Sequence, residues 1–251
     1  LVFEFTVLSE TREKLFLLVE NADVRLLNAL RRTVISDLPS FAVDEVSFYE
    51  NNSPLFNEYI SNRIALIPLT YEEGVADEAK IAFELNVEAV DVERVVYSRE
   101  LTSTDPAIRV FAEKIPLLKL GKGQKLRLEA IAVKGTGKQH AKFQSALASY
   151  GALDEFKLAV KCRKCGAEIN PKPKELLSDK ALKTLNEKAP DSCFQCPSCV
   201  ESHAKAGKKK EGAPAFILAI ESFNNLSARE QLERAFTIIQ EKIDSVIKEL
   251  K

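Results

Sequence analysis

The sequence contains no long hydrophobic run. Its longest uninterrupted apolar stretch, Ala215 to Ile220, has six residues, against the roughly 20 that a membrane-spanning helix requires. The N-terminus alternates apolar and polar residues where a secretory signal would carry a basic flank. The expectation is a cytoplasmic protein with no membrane contact. Neither sign of charge is in excess: the formal net charge is −1 at pH 7, so no global field draws the chain to nucleic acid or anionic lipid. Also missing are a P-loop, a nucleophile elbow, an HExxH helix and any short loop of clustered aspartates suited to Mg²⁺; each absence removes a class of enzyme. Methionine is absent altogether, and nothing in the sequence accounts for that.

What is present describes an ordinary globular chain. At 251 residues, 45% hydrophobic and 29% charged, it is long enough for one large domain or a few small ones, and the disordered and fibrous classes drop out. The charge is unevenly placed. Lys161 to Glu211 holds eleven lysines and one arginine against seven acids, a basic stretch of +5 on a body of −6. Contact with nucleic acid and a merely solvated lysine-rich surface are both compatible with that pattern. All five cysteines lie between Cys162 and Cys199. An odd-numbered cluster without a secretory signal argues for metal or iron–sulfur ligation over disulfides.

Hydrophobic periodicity divides the rest of the chain. Val2 to Val7 alternates with period two, and Leu15 to Val19 is continuously apolar, so two strands are expected across the polar turn Ser9 to Lys14. A helix follows, with Leu27, Leu30, Val34 and Leu38 at three- and four-residue spacing. Asn21 or Asp23 caps its start and Pro39 ends it. Ile81 to Ala89 and Leu126 to Val133 alternate as half-buried strands do, and Arg94 to Ser98, Ile108 to Phe111 and Ala215 to Phe223 supply further strands. Glycine-rich turns at 121–123 and 135–137 separate them. Asn57 to Ile60 begins a short helix that runs into the segment Arg63 to Leu69, where Ile64, Leu66 and Ile67 are expected in the core.

At the C-terminus, Ser227-Ala228-Arg229-Glu230 forms a capping box. Leu232, Phe236, Ile239, Ile243, Val246 and Leu250 then repeat at 3–4 spacing, along a helix of about 36 Å at 1.5 Å per residue. So narrow a stripe suits a seam for another helix, and packing on the chain's own sheet suits it equally. Arg31 and Arg32 are about 100° apart on the first helix and point in different directions. Their guanidinium forks suit bidentate carboxylate pairing with a partner, and equally a solvated helix end where cations complement the dipole.

Several of these blocks occur in one order: NALRRTVISDLP from Asn28 to Pro39, then FAVDEVSFYENNSPLFNEYISNRIALIPL to Leu69, then GKQHAKFQ from Gly137 to Gln144, then the amphipathic C-terminal helix. In these, nearly over its whole length, the chain resembles the alpha-type subunit family of cellular RNA polymerases, and within it the archaeal D subunits. The resemblance implies an α+β fold: a discontinuous dimerisation domain (residues 1–41 and 222–251), an inserted mostly-β domain (42–158 and 206–221) and a small cysteine-rich insert (159–205), ferredoxin-like or zinc-ribbon-like. It further implies a non-catalytic assembly subunit that pairs with the small subunit L and forms a platform for the small subunits N and P and the large catalytic subunits. Nucleic acid would be met only through that complex. Arg31, Arg32 and the block after Arg63 would face large subunits.

The cysteines admit two schemes. In the first, Cys162, Cys165, Cys196 and Cys199 form two CxxC knuckles, a spacing near that of zinc ribbons, with Cys193 left over. In the second, Cys193, Cys196 and Cys199 read CxxCxxC, with His203 where the ferredoxin run has its fourth cysteine, and Cys162 and Cys165 begin a second worn copy. Three thiolates at that spacing suit a three-iron [3Fe-4S] cluster, and some archaeal D subunits carry a ferredoxin-like insert here. The iron–sulfur scheme is therefore preferred, with zinc the alternative. In either, the metal staples an insert too small to fold on its own core. A free-standing iron–sulfur redox protein or a zinc-ribbon nucleic-acid module would use this segment alone and leave most of the chain without a role.

Overall fold

The computed structural model describes residues 4–153, 160–161, 168–169 and 215–250. In chain order these form β1 (Glu4–Glu10), β2 (Lys14–Glu20), α1 (Val24–Ser36), β3 (Pro39–Asn51), α2 (Asn57–Ala65), β4 (Ile81–Ala89), β5 (Arg94–Tyr97), β6 (Thr102–Ser103), β7 (Pro116–Leu120), β8 (Gln124–Thr136), β9 (Ala146–Leu153), β10 (Val160–Lys161), β11 (Glu168–Ile169), β12 (Ala215–Ser222) and α3 (Ala228–Glu249). Sheets and three helices among the described residues make an α+β fold. Two compact units divide the chain, one of Leu1–Ala29 with Ser149–Ile220, the other of Leu30–Ala148 with Glu221–Lys251.

In the first unit, β1 and β2 form an antiparallel hairpin in a sheet ordered β1-β2-β12-β9. Thr11 closes its turn: its amide donates to the Lys14 carbonyl (2.8 Å) and its Oγ1 accepts from the Lys14 amide (3.0 Å). The inner strand β2 lies between two neighbours, and Leu15, Leu17, Leu18 and Val19 are all buried, which is why its sequence is continuously apolar where an edge strand would alternate. Asp23 caps α1. Its Oδ1 accepts from the Arg25 amide (2.8 Å), and hydrogen bonds from the Arg25 side chain hold its pKa at about 2. Asn21, the other candidate cap, instead takes a left-handed turn at φ 59. The pair β10–β11 joins Val160 to Ile169 and Lys161 to Glu168.

The second unit is built on an antiparallel sheet ordered β3-β8-β4-β6, beside the β5–β7 hairpin. β4 shows why alternation is informative: Ile81, Phe83, Leu85, Val87 and Ala89 are buried and Glu84, Asn86 and Glu88 exposed. Ile60 and Ile64 of α2, with Ile67, close the core over Phe41, Phe83, Leu85 and Leu128. Pro39 opens the edge strand β3, a place where its missing N–H costs no ladder bond. Residues 108–111 do not form the expected strand. They make a single bridge, Leu69 to Val110, flanked by bonds from the Thr70 amide to Arg109 and the Phe111 amide to Pro68. Pro68 offers no amide with which to extend it.

Candidate functional site

Four stretches of the second unit meet around one cleft of about 320 Å³: the start of β3 at Ser40 and Phe41, the end of α2 from Leu66 to Leu69, the turn from Ala141 to Ser145, and Phe223 with Asn224 after β12. Each comes from a block that the sequence singles out. The turn is fixed by its own polar side chains: Gln139 Oε1 accepts from the Thr136 amide (2.8 Å) and His140 Nδ1 from the Lys142 amide (3.1 Å). Ser40 Oγ donates to the Phe143 carbonyl. Lys142 is ion-paired with Asp44, and its Nζ sits 5.1 Å from the centre of the Phe143 ring.

Behind the cleft lies a buried polar network. Gln231 of α3 donates through Nε2 to Asn224 Oδ1 (2.8 Å), which also accepts from the Leu226 amide (3.1 Å). Ser222 Oγ donates to the Leu226 carbonyl (2.6 Å). Asn224 Nδ2 is buried without a protein acceptor, a state that costs about 1–3 kcal/mol. Asn225 pairs with the Tyr71 backbone in both directions, Tyr71 N to Oδ1 (2.5 Å) and Nδ2 to Tyr71 O (2.9 Å). Arg234 stacks 4.1 Å from the Tyr71 ring centre. The start of α3 is thus bound firmly to the rest of its unit.

On α1, Leu27, Leu30 and Val34 are fully buried, as is Leu38 just beyond it. Arg31 is half-buried and Arg32 exposed, so the two arginines point different ways. Asp37 accepts from Ser36 Oγ (2.6 Å) and from Lys242 of α3. Burial pushes the Asp37 carboxyl up, but these hydrogen bonds outweigh it and hold the pKa below the ordinary carboxylate value.

The α3 stripe divides along its length. Leu232 is 7% exposed and Phe236 and Ile239 are half-buried, whereas Ile243, Val246 and Leu250 are 54%, 55% and 82% exposed. Ile247 joins them at 46%; its place four residues after Ile243, one turn along the helix, was the available signal. The capping box forms, with Ser227 Oγ accepting from the Glu230 amide (3.2 Å) and Glu230 Oε2 from the Ser227 amide (2.6 Å).

Leu66 corrects an expectation: it is 56% exposed and lines the cleft, while Ile64 and Ile67 on either side are buried. Phe56 and Tyr59 are also exposed. Arg63 is exposed and donates to the Pro116 carbonyl (2.5 Å). Cys162, Cys165, Cys193, Cys196, Cys199 and His203 lie outside the described residues. Among the described residues no group of three His, Cys, Asp or Glu is placed to hold a metal, and no helix is long and apolar enough to cross a membrane.

Comparison with known proteins matches residues 43–154 to the RNA polymerase Rpb3/RpoA insert domain. Over the whole length, the chain is 35% identical to DNA-directed RNA polymerase subunit Rpo3 of Thermococcus kodakarensis, covering 98% of this chain and 97% of that one. The chain belongs to the Rpo3 family. The subunits Rpo3 of Pyrococcus horikoshii and Archaeoglobus fulgidus are each 31% identical, over 98% of this chain and 96% and 97% of theirs. In this Rpo3-family chain the matched insert domain runs from within β3 through the end of β9 and so contains most of the cleft's lining.

Proposed function

We propose that this chain is a non-catalytic assembly subunit of a DNA-directed RNA polymerase. The observation that carries the reading is end-to-end kinship with subunits named Rpo3. Segments 1–41 and 222–251 make a dimerisation part that pairs with the small subunit L. Residues 42–158 and 206–221 make a β-rich part, and the platform so formed carries the small subunits N and P and the large catalytic subunits. The place of β12 next to β2 in one sheet favours counting residues 215–221 with the dimerisation part. The exposed Ile243, Val246 and Leu250 support α3 as the seam for L, since a sustained apolar stripe left uncovered at the end of a helix marks an interaction surface. Arg31 and Arg32 serve the large subunits, and the complex works in the cytoplasm.

Residues 159–205 hold a metal centre in this reading. Cys193, Cys196 and Cys199 supply three thiolates to an iron–sulfur cluster of the [3Fe-4S] type. The alternative is zinc on Cys162, Cys165, Cys196 and Cys199. The donor set fits either group, since both take thiolate ligands at CxxC spacing. When bound, the group supplies a crosslink between distant parts of the segment.

Co-expression with the L subunit of the same organism tests the assembly reading. A stoichiometric heterodimer is expected; a stable, redox-active monomer that ignores L would overturn it.

A further inference from the structure

We infer that residues 71–77 form an electrostatic strap that locks the base of α3 to β8 and thereby tunes the chain's grip on the subunit that α3 binds. The inference rests on the assembly reading and adds to it a conformational device centred on Arg234, about 18 Å along the helix from Val246 at 1.5 Å per residue.

The segment has no helix or strand and carries three carboxylates, Glu72, Glu73 and Asp77, so its placement depends on what its side chains hold. Tyr71 is the fixed end. Its buried ring lies 4.1 Å from the Arg234 guanidinium of α3, 5.9 Å from Lys134 Nζ of β8 and 6.0 Å from the Phe41 ring of β3, with both cations inside the range of attraction to a π face. Phe41 and Lys134 are cross-strand partners and so make one wall. Asn225, just before α3, holds the Tyr71 backbone through its two hydrogen bonds (2.5 and 2.9 Å). Both cations then reach on to the strap. Lys134 Nζ donates to Asp77 Oδ1 (2.6 Å) and to the Val75 carbonyl (3.4 Å), and Arg234 Nε is ion-paired with Glu73 at 3.7 Å. Lys134 and Arg234 are 15% and 18% exposed, against 88% and 78% for Asp77 and Glu73. Fixed cations beneath surface carboxylates are the arrangement of a strap laid over a base. Because each cation is shared between the ring and a carboxylate, a change in the carboxylates alters the seating of Tyr71 against α3. Arg234 also leaves the strap room to tighten. Its Nη1 is buried without an acceptor, and a small inward shift of Glu73 would supply the two-pronged pairing that a guanidinium favours.

The test is hydrogen exchange on the full chain, together with its affinity for the L subunit of the same organism. The double variant Glu73→Gln, Asp77→Asn alters only surface carboxylates and should leave the far-ultraviolet spectrum unchanged. It should nonetheless speed amide exchange about threefold or more across residues 232–239 of α3 and weaken L binding about fivefold, the low end of couplings between separate sites. Arg234→Lys keeps the charge but loses the planar stack; it should speed exchange of the Thr70 and Tyr71 amides, which are bonded to the Arg109 carbonyl and Asn225 Oδ1. In the double variant, faster exchange confined to residues 70–80 would overturn the inference. If the unmodified chain binds L and the double variant binds it equally well, the inference fails and the assembly reading stands. If the unmodified chain does not bind L, the assembly reading fails and this inference with it.

Discussion

Lys242, in the second half of α3, donates a hydrogen bond to the carboxylate of Asp37, the residue that follows α1. The pair ties the two helices with the most regular apolar stripes in the sequence. It sits where α3 changes from buried to exposed, and so helps to set the direction of the uncovered half.

The size of that contribution is limited by solvent. Lys242 is 60% exposed, so Asp37→Asn should cost only about 0.5–1 kcal/mol, read by urea denaturation at neutral pH. The pH dependence carries a definite sign. The folded carboxyl titrates below its ordinary range, so its stabilisation is complete above the unfolded value of about 3.9 and fades as pH falls through and below it. The Asp37→Asn variant should therefore lose stability less steeply than the parent below about pH 4. Equal slopes would show that the pair contributes nothing.

Gly137 is required by space. A Cβ there would overlap the Ile35 carbonyl oxygen at the end of α1, where the Lys138 amide also donates to Ser36 (2.8 Å). Gly137→Ala should cost about 2–3 kcal/mol or more through backbone displacement. Gly123 gives the contrast: its φ of +74 suits glycine but nothing stands within 4 Å of the added carbon. Gly123→Ala should cost about 1 kcal/mol, from conformation alone. Comparable losses in the two variants, measured by chemical denaturation, would contradict the assignment.

Along α3, stability and association should separate. Leu232→Ala removes a buried side chain and should destabilise the chain by about 2–5 kcal/mol. Val246→Asp alters a position that is 55% exposed; it should leave the melting transition within about 0.5 kcal/mol of the parent and abolish co-purification with subunit L. A Val246→Asp variant that still binds L normally would remove the seam from this part of the helix.

Metal content is decided by composition. Anaerobic purification followed by iron, sulfide and zinc analysis should find iron and sulfide with broad visible absorption; zinc alone would select the Cys162, Cys165, Cys196 and Cys199 scheme. Complete chelation should reduce ordered structure by circular dichroism. An unchanged spectrum would mean that the metal does not staple the segment.

Strong, long periodicities were legible before any coordinates. The strict alternation of Ile81 to Ala89 became β4 with the expected faces, the Leu27 to Leu38 spacing became the buried side of α1, and Ser227 and Glu230 formed their reciprocal cap. Short apolar runs were less informative. Ile64-Ala65-Leu66-Ile67 is too brief to carry a period, and its exposed member emerged only from the geometry. Ile108 to Phe111 has strand-like composition, yet finds one bridging partner beside a proline.

By itself, the sequence determined the family, the order of most elements and the faces of those long enough to repeat, because burial on one side of a regular element imposes a period that survives in the residues. Only the tertiary structure decided where a uniform stripe stops being core. The α3 spacing is unbroken from Leu232 to Leu250, but the fold covers its beginning and leaves its end exposed. Periodicity records that a face is apolar; which neighbour lies against it depends on contacts between residues far apart in the chain. The same holds for the cleft, whose four segments, distant in sequence, share a surface only after folding.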